Sequence, residues 1–180
     1  MQSINFEGVN DGKKKHQNCK LENSSKSALK RRDLTGGEMS PSVYHSAIAV
    51  NIGGELVRQK EFRAHSELTV VIDGNDHQPD ISVYKRKKLN YIGEEDRVKT
   101  EDIPLTAIEI VSPSQTVNDL IKKADIYLQS GIQTVWIVHP QTHSITVKTK
   151  SSAEIYHEGI LEDATGVRVD LGVVFEDHEK

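Results

Sequence analysis

The sequence predicts an α/β domain built around one mixed sheet, and three stretches of its apolar pattern carry that prediction. A strand, a helix and a second strand follow one another over residues 105–138. Two strand-like runs precede them at 67–74 and 79–86, and a helical pattern opens the folded part at 40–59. The order helix, strands, helix, strands is that of helices packed on the faces of a sheet.

In "SPSVYHSAIAVNIGGELVRQ" (40–59), Ser40 suits an N-cap and Pro41 the first helical position, while Tyr44, Ile48, Ile52 and Leu56 recur every fourth residue. Gly53-Gly54 weakens the pattern towards its C-terminal end. The runs "ELTVVIDG" (67–74) and "PDISVYKR" (79–86) flank the polar turn "GNDHQ". Residues 87–104 are polar and end at Pro104. Then comes the clearest unit: strand 105–111, helix about 116–130, Gly131 as its stop, and strand "IQTVWIV" (132–138). Thr116 is the expected N-cap, with Asp119 completing a capping-box-like pair. This unit is a β-α-β crossover between parallel strands. A hairpin around "HPQTHS" and short strands to about residue 175 close the chain.

Charge divides the chain. Residues 1 to about 35 lack apolar periodicity and are rich in Lys, Asn, Ser and Gly, the composition of a disordered tail. Residues 1–33 carry eight Lys or Arg against four acids, a net of +4, and the whole chain is −4, which leaves about −8 on residues 34–180. A basic arm on an acidic body is suited to touch nucleic acid; a solvated tail accounts for it equally well. The lone cysteine, Cys19, excludes a disulfide framework or a cysteine metal site. No apolar run is long enough for a membrane span or a signal-peptide core, and there is no internal repeat, so the expectation is a soluble cytoplasmic protein without membrane contact.

The candidate chemistry starts from "TAIEIVSPS" (106–114). Counting by two, Leu105, Ala107, Glu109 and Val111 share one strand face, Ile108 and Ile110 the other. Both faces are apolar except for Glu109, and an unpaired carboxylate there would cost several kcal/mol. Asp80 opens the strand after Pro79, and if the two strands pair, the two carboxylates converge on one site. Oxygen-only ligands suit Mg²⁺ or Mn²⁺ better than Zn²⁺. On the helix, Val117, Leu120, Ile121, Ala124, Tyr127 and Leu128 make an apolar stripe. Lys123 borders it and can aim its ammonium at the acids, whereas Lys122 points away. "KRKK" (85–88), followed by Tyr91, is suited to grip a phosphate backbone, or else is a solvated strand end. His139 and His143 flank a hairpin turn, which disfavours zinc, and His45 fits a structural role. There is no P-loop, nucleophile elbow or dinucleotide fingerprint.

"QPDIS", "AIEIVSPS", "DLIKKADIY" and "GIQTVWIVHP", with "GGEMSPSVYH" before them, resemble the successive signatures of the Uma-type putative restriction endonuclease family, within the PD-(D/E)XK nuclease superfamily. The resemblance spans roughly residues 36–150. It implies a restriction-endonuclease-like core, a mixed sheet flanked by helices in α-β-β-β-α-β order, occupying residues 36–180. It also implies a Mg²⁺- or Mn²⁺-dependent endonuclease that hydrolyses phosphodiester bonds of DNA, with homodimerisation an expectation from the superfamily alone. Asp80 matches the motif aspartate and Glu109 the acidic residue, and these two with the backbone carbonyl of Ile110 would hold the ion. The standard pattern places a lysine two residues after the acid, where this chain has Val111; Lys123 matches the helix lysine of the family and would orient water or neutralise developing charge. Tyr127 matches a recurrent tyrosine, Val135 and His139 depart from the usual tyrosine and aspartate, and Glu38 and Glu55 are candidates for an assisting glutamate. A second reading stays open: a catalytically inactive protein on the same scaffold, binding nucleic acid or a protein partner, in which Glu109 only pairs with Lys123.

Overall fold

The computed structural model describes residues 41–93, 95–113 and 115–176. The tail expected over residues 1–35, with Cys19, and the candidate Glu38 lie outside them. The first helix, α1, runs Val43–Val57, and its cap is Ser42, whose hydroxyl accepts from the His45 amide at 3.2 Å. The helix thus starts later than Ser40-Pro41 suggested, and it runs through Gly53-Gly54 because Ile48, Ile52 and Leu56 are buried on the sheet.

Strands β1 (Phe62–Ser66), β2 (Thr69–Ile72), β3 (Asn75–His77), β4 (Ile81–Lys85), β5 (Lys99–Thr100) and β6 (Thr106–Ile110) follow. Helix α2 (Val117–Gln129) crosses to β7 (Thr134–His139), and β8 (Ser144–Lys148), β9 (Ala153–Tyr156), β10 (Ile160–Glu162), β11 (Arg168–Asp170) and α3 (Leu171–Phe175) complete the order. Among the described residues the central sheet is ordered β1-β4-β6-β7-β8-β9, with β6 and β7 parallel and every other neighbouring pair antiparallel. Along that sheet the core elements occur as α1, β1, β4, β6, α2, β7, which is the expected α-β-β-β-α-β order. The hairpin predicted around residues 139–144 joins β7 to β8. The supposed turn "GNDHQ" instead contains β3, folded back on β2, and β1 lay hidden in a polar sequence.

Period-two alternation splits the core. Ile108 and Ile110 of β6, with Trp136 and Val138 of β7, face α1, α3 and the β10–β11 hairpin. Ala107, Val135 and Ile137 face α2 and the small β3-β2-β5 sheet, whose Val70 and Ile72 pack there. Glu109 is therefore on the α2 side. The phase of α2 is set at its start: the Thr116 hydroxyl donates to Asp119 Oδ2 at 2.6 Å and accepts from the Asp119 amide at 3.2 Å. It is released at Gly131, where φ of 106° requires a residue without Cβ strain.

Burial holds His65, His77 and His139 below the ordinary value of 6.5, with the Arg63 charge helping at His65 and the Lys123 charge at His77. The unfolded chain therefore binds these protons more tightly, so stability falls as pH drops through 6.5 towards the folded-state values. Thermal midpoints measured from about pH 7 down to about pH 6 should decline, and His139→Gln should weaken that dependence; a midpoint flat across this window would contradict the burial assignment.

Candidate metal and phosphate site

The register of β4 on β6 pairs Ile81 with Ile108, so one step further Asp80 falls opposite Glu109. The backbone makes this adjacency concrete: the Ile110 amide donates to Asp80 Oδ2 at 2.7 Å. Both acids are enclosed, Asp80 at 2% and Glu109 at 1% exposure. Charges so enclosed need partners, and each acid takes its own from a different helix.

Glu109 is served by α2. Lys123 Nζ lies 2.6 Å from Glu109 Oε1, and the Tyr127 hydroxyl donates to the same oxygen at 3.0 Å. Lys123 and Tyr127 are four residues apart and so rise from one helix face; the ammonium also lies 5.7 Å from the tyrosine ring centroid. The same ammonium donates to the Gln78 carbonyl at 3.4 Å, so it ties Glu109 to the segment that leads into Asp80. The lysine stem is only partly covered, with 24% of the side chain exposed, while Lys122 is exposed. Of the predicted set, Asp80, Glu109 and Lys123 are brought together, and the hydroxyl of Tyr127 joins them through Glu109.

Asp80 is served by α1. His45 Nε2 lies 3.1 Å from Asp80 Oδ2, and since a carboxylate can only accept, the imidazole donates from that nitrogen. His45 is 5% exposed. Its sequence context, one polar residue at the start of a capped helix, gave it a structural role; only the placement of α1 against the start of β4 reveals the contact. Its spacing from Ile48 and Ile52, three and seven residues, already put it on the buried face, the one available signal.

The remaining candidates lie elsewhere. Glu55 pairs with Arg58 at 2.7 Å and accepts from the Asp170 amide at 3.5 Å, away from the acids, because it faces the β11 side of α1. His139 meets Thr146 at 3.2 Å, and Val135 is buried beside α2. Asp119 is used in the helix cap.

The donor set can be tested against a cation. Among the described residues no three His, Cys, Asp or Glu side chains form a metal cage. An ion would rest on the Asp80 and Glu109 carboxylates and the Ile110 carbonyl, an all-oxygen set leaving positions for water and phosphate oxygens. That fits Mg²⁺ or Mn²⁺, which retain waters, and does not fit structural zinc.

The chain matches a family described as Uma2, putative restriction endonuclease, over residues 20–174. Among solved structures it is similar to one described as a putative nuclease belonging to DUF820, from Anabaena variabilis ATCC 29413, with a TM-score of 0.63 and 25% sequence identity. The match covers 77% of this chain and 83% of that one. No curated protein matches the chain.

Removing one member of a buried ion pair strands the other. Lys123→Met should destabilise the domain by about 3 kcal/mol, and adding Glu109→Gln to it should recover most of that loss. Urea midpoints of the single and double variants check this; an unchanged midpoint for Lys123→Met would remove the pair from the account.

Proposed function

The chain belongs to the Uma2 putative restriction endonuclease family, and from that premise we propose that it is a divalent-metal-dependent endonuclease hydrolysing DNA phosphodiester bonds at Asp80, Glu109 and Lys123. The observation that supports this reading most strongly is the convergence of Lys123 on Glu109 at 2.6 Å, beside the strand that bonds Asp80. An ion held by Asp80, Glu109 and the Ile110 carbonyl would lower the pKa of water and offset charge on a phosphate.

The chain's own residues divide the remaining work. The Ile110 amide and His45 orient Asp80, and Tyr127 orients Glu109. Lys123 has two roles in sequence. Without substrate it neutralises Glu109; with a phosphate present its ammonium orients water or meets the negative charge that develops on the phosphate oxygens. Its partial exposure supports this, since it is the one charged member of the trio that reaches solvent. His45 acts through Asp80 and is a positioning residue.

Nicking of supercoiled plasmid with Mg²⁺ or Mn²⁺ tests the reading. Wild type should convert the plasmid, and Glu109→Gln should slow conversion by at least about 100-fold, the scale of losing a principal electrostatic group. Equal cleavage by both proteins would remove Glu109 from the mechanism. No cleavage by wild type with either metal would favour the non-catalytic scaffold.

A further inference from the structure

A concave feature lies on the same sheet face as Glu109, towards the opposite end of the strands. It is a cleft of about 880 Å³, roofed by the segment between β4 and β6. That volume is within the range of true ligand sites. Its floor is sheet: Arg63 and Tyr84 are paired across β1 and β4, and His65 meets Tyr84 edge-on at 5.6 Å. The Tyr84 hydroxyl is occupied by the Asp102 carbonyl at 3.2 Å, which fixes the ring.

Charge gathers here against the trend of the molecule. Arg63, Lys87, Lys88, Arg97 and Lys99 line the cleft, opposed by Glu95, Asp96 and Asp102, although the chain as a whole is −4; the Lys85 ammonium turns to the other sheet face, over the Phe62 ring. Lys99 is shared with Asp76 at 3.4 Å. Between these cations sit Leu89, Ile103 and Tyr91, and Tyr91 is 84% exposed. Cations interleaved with presented aromatic and apolar groups match an unpaired nucleic-acid strand, whose phosphates need charge and whose bases offer a stacking face. An intact duplex hides its base faces and would leave Tyr91 with nothing to stack on. Distance fits too. Tyr84 is four residues along β4 from Asp80, about 13 Å, which is about four nucleotides of a stacked strand.

Building on the nuclease reading, we infer that this cleft holds the unpaired strand of a nucleic acid whose scissile phosphate lies at Asp80 and Glu109, so that the substrate carries a single-stranded segment. The cations fix the backbone and Tyr91 stacks on a base.

The test separates binding from cleavage. Fluorescence anisotropy with a fluorescein-labelled oligonucleotide, single-stranded or annealed to its complement, is measured in EDTA with wild type, Tyr91→Ala and Lys87→Ala/Lys88→Ala. Wild type should bind the single strand more tightly than the duplex. Tyr91→Ala should weaken single-strand binding about tenfold and leave duplex binding as it was. Lys87→Ala/Lys88→Ala should reduce the salt slope for the single strand by about 1.4, the loss of two phosphate contacts. Duplex bound as tightly as single strand, or no effect of Tyr91→Ala, overturns the inference. Displacement of the oligonucleotide by polyglutamate at equal charge concentration would also overturn it and assign the cleft to an acidic protein. Because no cleavage is read, failure of plasmid nicking leaves these outcomes intact, and loss of single-strand binding leaves the nuclease reading intact.

Discussion

A carboxylate enclosed in an apolar strand must be met by positive charge, and in this protein the charge arrives from the helix that follows the strand. Glu109 accepts from both Lys123 and Tyr127 on one turn of α2. Enclosure raises the cost of leaving any of these groups unmatched by several kcal/mol, so the position of α2 over β6 is specified by electrostatics as well as by packing. The cap at Thr116 and the release at Gly131 fix where the helix begins and ends, and hence which residues overlie Glu109.

The second acid is organised independently. Asp80 lies at the junction of β4 with its preceding loop and is held by the Ile110 amide of the neighbouring strand and by His45 of α1. Two helices on opposite sides of the sheet thus serve two adjacent acids, α1 with His45 on Asp80 and α2 with Lys123 and Tyr127 on Glu109. An arrangement with no function would be easier to replace by apolar residues than to maintain, since buried ion pairs are often weaker contributors to stability than well-packed hydrocarbon. Retaining it is consistent with a site that exchanges one cation, the ammonium, for another.

The architecture was largely legible because its strongest elements have strong periods. The 105–138 unit is apolar on both strand faces, capped, and punctuated by Gly131, and its observed bounds differ from the expected ones by a residue or two. Glu109 stood out because it broke an apolar pattern, and Lys123 because it bordered a helical stripe. β1, β3 and β5 were not legible: their sequences, such as "NDH", are polar, and they become strands by pairing with neighbours distant in the chain or folded back on it. His45 was underestimated for a related reason. No periodicity of α1 encodes which acid its N-terminal turn will meet, because that depends on tertiary placement. The cap of α1 is Ser42, two residues beyond the expected Ser40, because its hydroxyl reaches the His45 amide, and residue type alone does not tell two neighbouring serines apart.

On the proposed reading, what unites these features is that a divalent ion would share or take over the place held by the Lys123 ammonium. Anomalous diffraction from crystals grown with Mn²⁺ addresses this directly. A single strong peak in contact with both the Asp80 and Glu109 carboxylates, with Lys123 Nζ moved from its 2.6 Å contact, is the predicted result. Well-ordered crystals at millimolar Mn²⁺ that show no peak there, and an undisturbed Lys123–Glu109 pair, would contradict it.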